Sequence, residues 1–132
     1  AGLWNFASNW TPSGVPEPNN DVVIPVLGPA NQPTIYPTDV AFCGSMEFQS
    51  NPTFTIMSDG TGTGSLIVAN GVSGSATVNV QRYMTGTTWH MTSSPLSGPA
   101  FSDFISANSN ISNKGTNNCM IKYLESQDDS IY

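Results

Sequence analysis

Four sets of side chains in this 132-residue chain carry enough chemistry to be weighed. The first is His90, the single histidine, with Ser93, Ser94 and Asp103 close behind it in sequence. A Ser-His-Asp triad needs a nucleophile on a strained turn, an oriented base and an oxyanion hole. No G-x-S-x-G elbow is present, and S-S-P-L-S-G reads as a hydroxyl-rich turn. On a strand, His90 points away from Trp89 and Met91, towards the surface. The second set is the carboxylates Glu17, Asp21, Asp39, Glu47, Asp59 and Asp103, a pair of which could serve glycoside hydrolysis. No spacing forces two of them into one cleft, and most sit beside Pro, Asn or Gly in loops. No catalytic residue is assigned, and the chain is expected not to be an enzyme.

The third set is oxygen-rich. Asp59 in SDGTGTGS, and the run Asn19-Asn20-Asp21, have the composition of turns that hold Ca²⁺. Neither matches an EF-hand loop or a calcium-binding nonapeptide, and turn chemistry accounts for both. No cofactor is expected, with structural calcium as the alternative. The fourth set is aromatic: Trp4, Trp10 and Trp89 could stack on pyranose rings and are the candidate ligand-binding residues. Large aromatics near the end of a β core also serve to plug it, which is the competing role for Trp4 and Trp10.

The elements that would position these groups are short. Ten prolines and twelve glycines interrupt the chain too often for a helix of ordinary length before residue 100. Between them lie runs with period-2 or β-branched character at Asp21–Val26, Pro33–Tyr36, Ala41–Gln49, Thr53–Met57, Ser65–Ala69, Ala76–Met84, Thr88–Ser93 and Cys119–Leu124. About eight short strands with turn signals every 8–12 residues predict an all-β fold. The expectation is an antiparallel, jelly-roll-like β-sandwich, with a short parallel β-solenoid as the alternative. Phe54, Leu66 and Val78 recur at intervals of twelve, as do Ile56, Val68 and Val80, which points weakly to stacked strand-turn units. Phe101–Lys114 is the one expected helix, capped by Ser102. Residues 1–132 are expected to form a single all-β domain, with 101–132 either starting a second element or acting as an exchanged strand.

Only 9% of residues are charged, against about 25% in an average domain. Ser, Thr and Asn fill about a third of the chain. Thirteen aromatic residues and repeated Val/Ile/Leu pairs argue for order, since disordered segments lack both. The net charge of −6, with only Arg82, Lys114 and Lys122 as cations, argues against nucleic acid and anionic membrane as partners. No stretch reaches the ~18 apolar residues that insertion into a bilayer requires. No basic n-region precedes Ala1, as expected of a cleaved product or an excised segment. Cys43 and Cys119 lack zinc-type spacing and are read as one long-range disulfide, two free thiols being the alternative.

Three blocks together resemble a known group. They are W-x-x-x-S-N-W-T-x-x-x-V-P from Trp4, with N-x-D-V-V-I-P at Asn19–Pro25; C-x-x-M-x-F from Cys43, followed by glycine-rich units; and V-x-V-Q-R-Y-M-T-G-x-x-W-H-M-x-S-S-P-L-S-G from Val78. This is similar to the large secreted surface proteins of the Bacteroidota, the adhesin-like cargo of the type IX secretion system. The resemblance implies an extracellular, cell-surface, β-rich spacer or scaffold and supplies no catalytic residues. The expected function is a structural or adhesive module of a bacterial surface protein, with self-assembly into filaments open to it. The expected partners are itself or neighbouring surface-protein domains, joined by strand addition, and glycans. A carbohydrate-binding module of a secreted protein is the alternative.

Overall fold

The computed structural model describes residues 2–85, 90, 100–108, 113–114 and 117–118. The chain divides into two compact units, Ala1–His90 and Met91–Tyr132.

In the first unit successive strands alternate between two sheets. Sheet A takes β1 (Gly2–Leu3), β3 (Pro33–Ile35), β5 (Thr53–Ile56) and β9 (Thr77–Val80), hydrogen-bonded in that order. Sheet B takes β2 (Val22–Ile24), β4 (Val40–Phe48) and β8 (Ser65–Gly74). Every pairing in both sheets is parallel. The chain therefore winds as a short parallel β-solenoid, each coil contributing one strand to each sheet. The expected antiparallel, jelly-roll-like sandwich is overturned. Turn signals every 8–12 residues suit either architecture, because they mark corners without saying whether the chain doubles back or winds on. Parallel neighbours need a long crossover, and here the crossover is the strand on the opposite sheet with its two corners.

The twelve-residue recurrence is half a coil. Phe54 pairs with Val78 and Ile56 with Val80 on sheet A, 24 positions apart. Leu66 and Val68, halfway between, lie on sheet B beside Ala41 and Cys43. Like residues thus stack at every second recurrence rather than at each. Other coils differ in length: Leu3 pairs with Thr34, 31 positions on, and Thr34 with Thr55, 21 positions on.

The inward side chains form columns across the sheets. Trp4, Val22, Ile24, Ile35, Ala41, Cys43, Met46 and Phe54 are the buried core, with Trp10, Leu27, Phe48, Ile56, Leu66, Val68 and Val78 packed against it. Fully burying one such aliphatic side chain contributes about 1.5–3 kcal/mol. Coils approach so closely that one glycine cannot be replaced freely. A Cβ on Gly64 would stand 2.6 Å from the Tyr36 carbonyl oxygen and 2.9 Å from Ile35 Cγ2.

Strand β8 runs five residues further than expected, through Asn70-Gly71, which reads locally as a turn. Gly71 at φ +114° and Gly74 at φ +79° supply backbone that other residues rarely adopt. Between the pairs Cys43–Val68 and Ser45–Gly71 strand β8 advances three residues against two on β4, a bulge that takes up its extra residue. SDGTGTG, expected to be turn alone, forms a small antiparallel hairpin of β6 (Ser58–Asp59) and β7 (Gly62–Thr63). This hairpin is tied to the next coil, where Ser58 Oγ accepts from the Tyr83 amide at 3.0 Å.

The second unit contains α1 (Phe101–Ala107) and a hairpin of β10 (Asn113–Lys114) with β11 (Asn117–Asn118). The helix is shorter than the expected Phe101–Lys114 and begins after Ala100, with no side-chain cap. Asn108 ends it: its side-chain Nδ2 donates to the Phe104 carbonyl at 2.7 Å, and its amide to Ile105 at 3.1 Å. Side-chain competition of this kind is why Asn favours helix ends. The expected strands Thr88–Ser93 and Cys119–Leu124 lie outside the described residues, apart from His90. No helix of the described residues is long and apolar enough to cross a membrane.

Candidate functional site: two unlike ends of a parallel coil

The first coil is long because it carries a plug. After β1 the chain makes a 3-10 turn at Ala7–Asn9 and crosses the end of the core. Asn9 Nδ2 donates to the Leu3 carbonyl at 2.8 Å, while the Gly14 amide and Ser13 Oγ both donate to Ala7 O. These bonds hold Trp10 in place. Its indole Nε1 donates to the Trp4 carbonyl at 2.7 Å, and its ring meets Trp4 edge to face, centroids 4.8 Å apart. Trp4 is 1% exposed and also meets Phe54 edge to face at 6.1 Å. Phe48 continues the aromatic chain to Phe54 at 6.0 Å.

Two of the three candidate ligand-binding tryptophans are therefore brought together, and they are spent largely on each other. Sugar stacking needs a free aromatic face, and Trp4 has none to offer. Trp10 keeps a partly exposed ring on an open cleft of about 780 Å³, which Asn20, Asp21, Val23 and Leu27 also line. Trp89 lies outside the described residues. The Trp4 Nε1 hydrogen is buried with no partner among the described residues.

The oxygen-rich turns serve the backbone. Asp21 Oδ1 accepts from both the amide and the hydroxyl of Ser45, at 3.0 and 2.6 Å, bracing β4 where it faces the β8 bulge. Those bonds hold the Asp21 carboxyl below its ordinary range. Asn20 contributes its carbonyl to the Gly44 amide at 2.7 Å and its side-chain oxygen to the Glu17 amide at 2.8 Å. Asp59 Oδ1 accepts from the amide and hydroxyl of Thr61, at 2.8 and 2.6 Å, and its pKa is lowered by them. Each of the two aspartates thus has one oxygen committed to its own fold. Among the described residues no three His, Cys, Asp or Glu side chains are grouped closely enough to hold a metal ion.

His90 is exposed, its Nε2 3.0 Å from the Thr85 carbonyl oxygen. Ser93 and Ser94 lie outside the described residues, and Asp103 sits in the first turn of α1 in the second unit. Cys43 is a fully buried thiol; burial, and secondarily the Asp21 charge, push its pKa up from 9.0. Cys119, its expected disulfide partner, lies outside the described residues.

The opposite end of the coil is the feature that composition and motifs did not single out. Val22, Met46 and Val72 stand in one column across sheet B. Met46 is 1% exposed and Val72 57% exposed. The other columns loosen the same way: Ala41 and Cys43 are buried, and Leu66 and Val68 beside them are half-buried; Phe54 is buried, and Val78 half-buried. Among the described residues no strand pairs with the outer edge of β8 or of β9. The fourteen residues of β8 and β9 include no Asp, Glu, Lys or Arg, and neither do β1, β2, β3 and β5. Natural edge strands are usually guarded by such residues. No known protein family, characterised protein or solved structure was found to match the chain.

Proposed function

We propose that this chain is a structural module of an extracellular bacterial surface protein, a rigid spacer of stacked parallel coils that joins its neighbours through strand edges. The observation that carries the reading is the stack of parallel coils, closed by the Trp10 plug beside β1 and β2. Repeat architectures need a cap wherever their core would meet water, and Trp10 takes that place at the first coil. The composition supports an extracellular setting: few charges, many hydroxyls and amides, and an acidic balance. The resemblance of the Trp4–Pro16, Asn19–Pro25 and Val78–Gly98 blocks to type IX cargo of the Bacteroidota points the same way.

The test is surface shaving of intact producing cells. A protease added outside should release fragments of this module while a cytoplasmic marker stays whole. Complete protection of the module until the cells are lysed would reject the reading.

A further inference from the structure

We infer that Asn70 is a site of spontaneous covalent modification: the Gly71 backbone nitrogen closes on the Asn70 side-chain amide, and hydrolysis of the succinimide so formed leaves aspartate or isoaspartate within β8. The reaction is intramolecular. Both reacting groups belong to adjacent residues of one strand, and water is the only other reactant.

Three observations select this asparagine. Asn70 is the one asparagine of the chain followed by glycine. Closure brings the next backbone nitrogen against the side-chain carbon, and a Cβ on that next residue crowds the approach. Gly71 has none, and the space a Cβ would fill is open, with no atom within 4 Å. Asn70 also lies where β8 is irregular. Between the pairs Cys43–Val68 and Ser45–Gly71, Ala69 and Asn70 together face Gly44, and a bulge leaves its surplus residue out of the ladder. A regularly paired strand holds its backbone extended, away from the rotation that closure needs. At Gly71 the backbone already departs from that, with φ +114°. Finally, Asn70 is exposed. Asn79 supplies the contrast: it too is exposed, but it pairs in register with Thr55 and precedes the β-branched Val80.

The atoms balance. The Gly71 nitrogen gives up its proton and bonds to Asn70 Cγ; the Cγ–Nδ2 bond breaks, and Nδ2 leaves as ammonia with that proton. Water then opens the ring at one of its two carbonyl carbons. Opening at Cγ leaves aspartate with the main chain unchanged. Opening at the α-carbonyl carbon routes the main chain through Cβ and Cγ, as isoaspartate.

Each product changes β8. Either one adds a negative charge to a strand that has none, in a chain already at −6. Isoaspartate also lengthens the main chain by one carbon directly before Gly71, where pairing with β4 resumes. Residues 71–74 pair with 45–48, so this half of β8 loses register while residues 65–68 keep theirs.

The test holds the full chain folded at neutral to mildly alkaline pH and follows its peptides by mass spectrometry. The peptide containing Asn70 should gain about 1 Da, and faster as the pH rises. Its rate should lie within about tenfold of that in urea, a local opening cost of no more than about 1.4 kcal/mol. Asn79 should stay intact over the same period. Asn70→Gln, whose longer side chain closes a ring far more slowly, should remove the gain and leave the melting temperature unchanged. In the converted protein, hydrogen exchange should quicken in residues 71–74 and not in 65–68. An Asn70 that converts in urea but stays intact in the folded chain would overturn the proposal, as would Asn79 converting equally fast. Unchanged exchange in residues 71–74 of isoaspartate-rich protein would overturn the loss of register. None of these outcomes bears on where the module resides, which the shaving experiment decides separately.

Discussion

The two ends of the solenoid are made of the same kind of core and finished in opposite ways. At the first end the chain spends about ten extra residues to carry Trp10 across the coil, and Trp4 beneath it is 1% exposed. At the last end the same columns stop on Leu66, Val72, Val78 and Val80 with nothing of their kind above them among the described residues. The contrast teaches that one kind of column can be closed by aromatic rings at one end and, among the described residues, thin out through half-buried aliphatic side chains at the other.

The sharpest way to break this contrast is to remove the plug's base. Trp4→Ala should cost about 3–5 kcal/mol, the range for deleting a buried aromatic side chain, seen as a lowered urea midpoint or failure to fold. A comparison within one column comes next. Met46→Ala should cost about 2–5 kcal/mol. Val72→Ala, one coil further along the same column, should stay within about 0.5 kcal/mol in dilute solution. Equal losses at the two positions would mean the end is covered. Trp10→Ala, which deletes a half-buried ring and one hydrogen bond, should cost about 2 kcal/mol and speed exchange of the amides of β1 and β2 more than those of β8.

The smallest effect is in acid and alkali. The folded pKa of Asp21 lies below its ordinary 3.8, so its contribution is present above that value and fades as pH falls through the folded pKa. Melting temperature should hold from pH 7 to 5 and fall below about pH 4. Asp21→Asn should flatten that fall, since Ser45 loses its charged acceptor at every pH. Cys43 works at the other extreme. Its folded pKa lies above 9.0, so above that pH the unfolded chain loses a proton that the folded one keeps, and stability declines. Cys43→Ser would remove this alkaline decline at the cost of burying a hydroxyl.

Strand content was legible in the residues, because period-2 and β-branched runs report local geometry. Direction was not. Alternation of Phe54, Ile56 and Val78, Val80 is the same whether two strands run together or opposed. What distinguishes them is that the twelve-residue recurrence doubles to 24 before a residue meets its like, a relation that three repeats leave ambiguous. The reach of β8 was hidden for a different reason: Asn70-Gly71 carries a turn signal that β8 absorbs as a bulge against β4. At the candidate site, the aromatic roles of Trp4 and Trp10 as plug were visible from their place among Pro and Gly near the first strand. The thinning of the columns at β8 and β9 was not, since which residue stacks on which is set by the pairing register.

The central claim is parallel register, and an engineered cross-link tests it most directly. Thr55 and Asn79 are neighbours on adjacent strands of sheet A, at the ~4.8 Å strand spacing that falls within disulfide reach. With Thr55→Cys and Asn79→Cys together, mild oxidation should close an intramolecular bond quickly in the folded protein and not in urea. Pairing Thr55→Cys with Thr77→Cys, which parallel register sets two residues out of step, should close far more slowly. Equal or reversed rates would contradict the parallel coil, and the distinction between its two ends would fall with it.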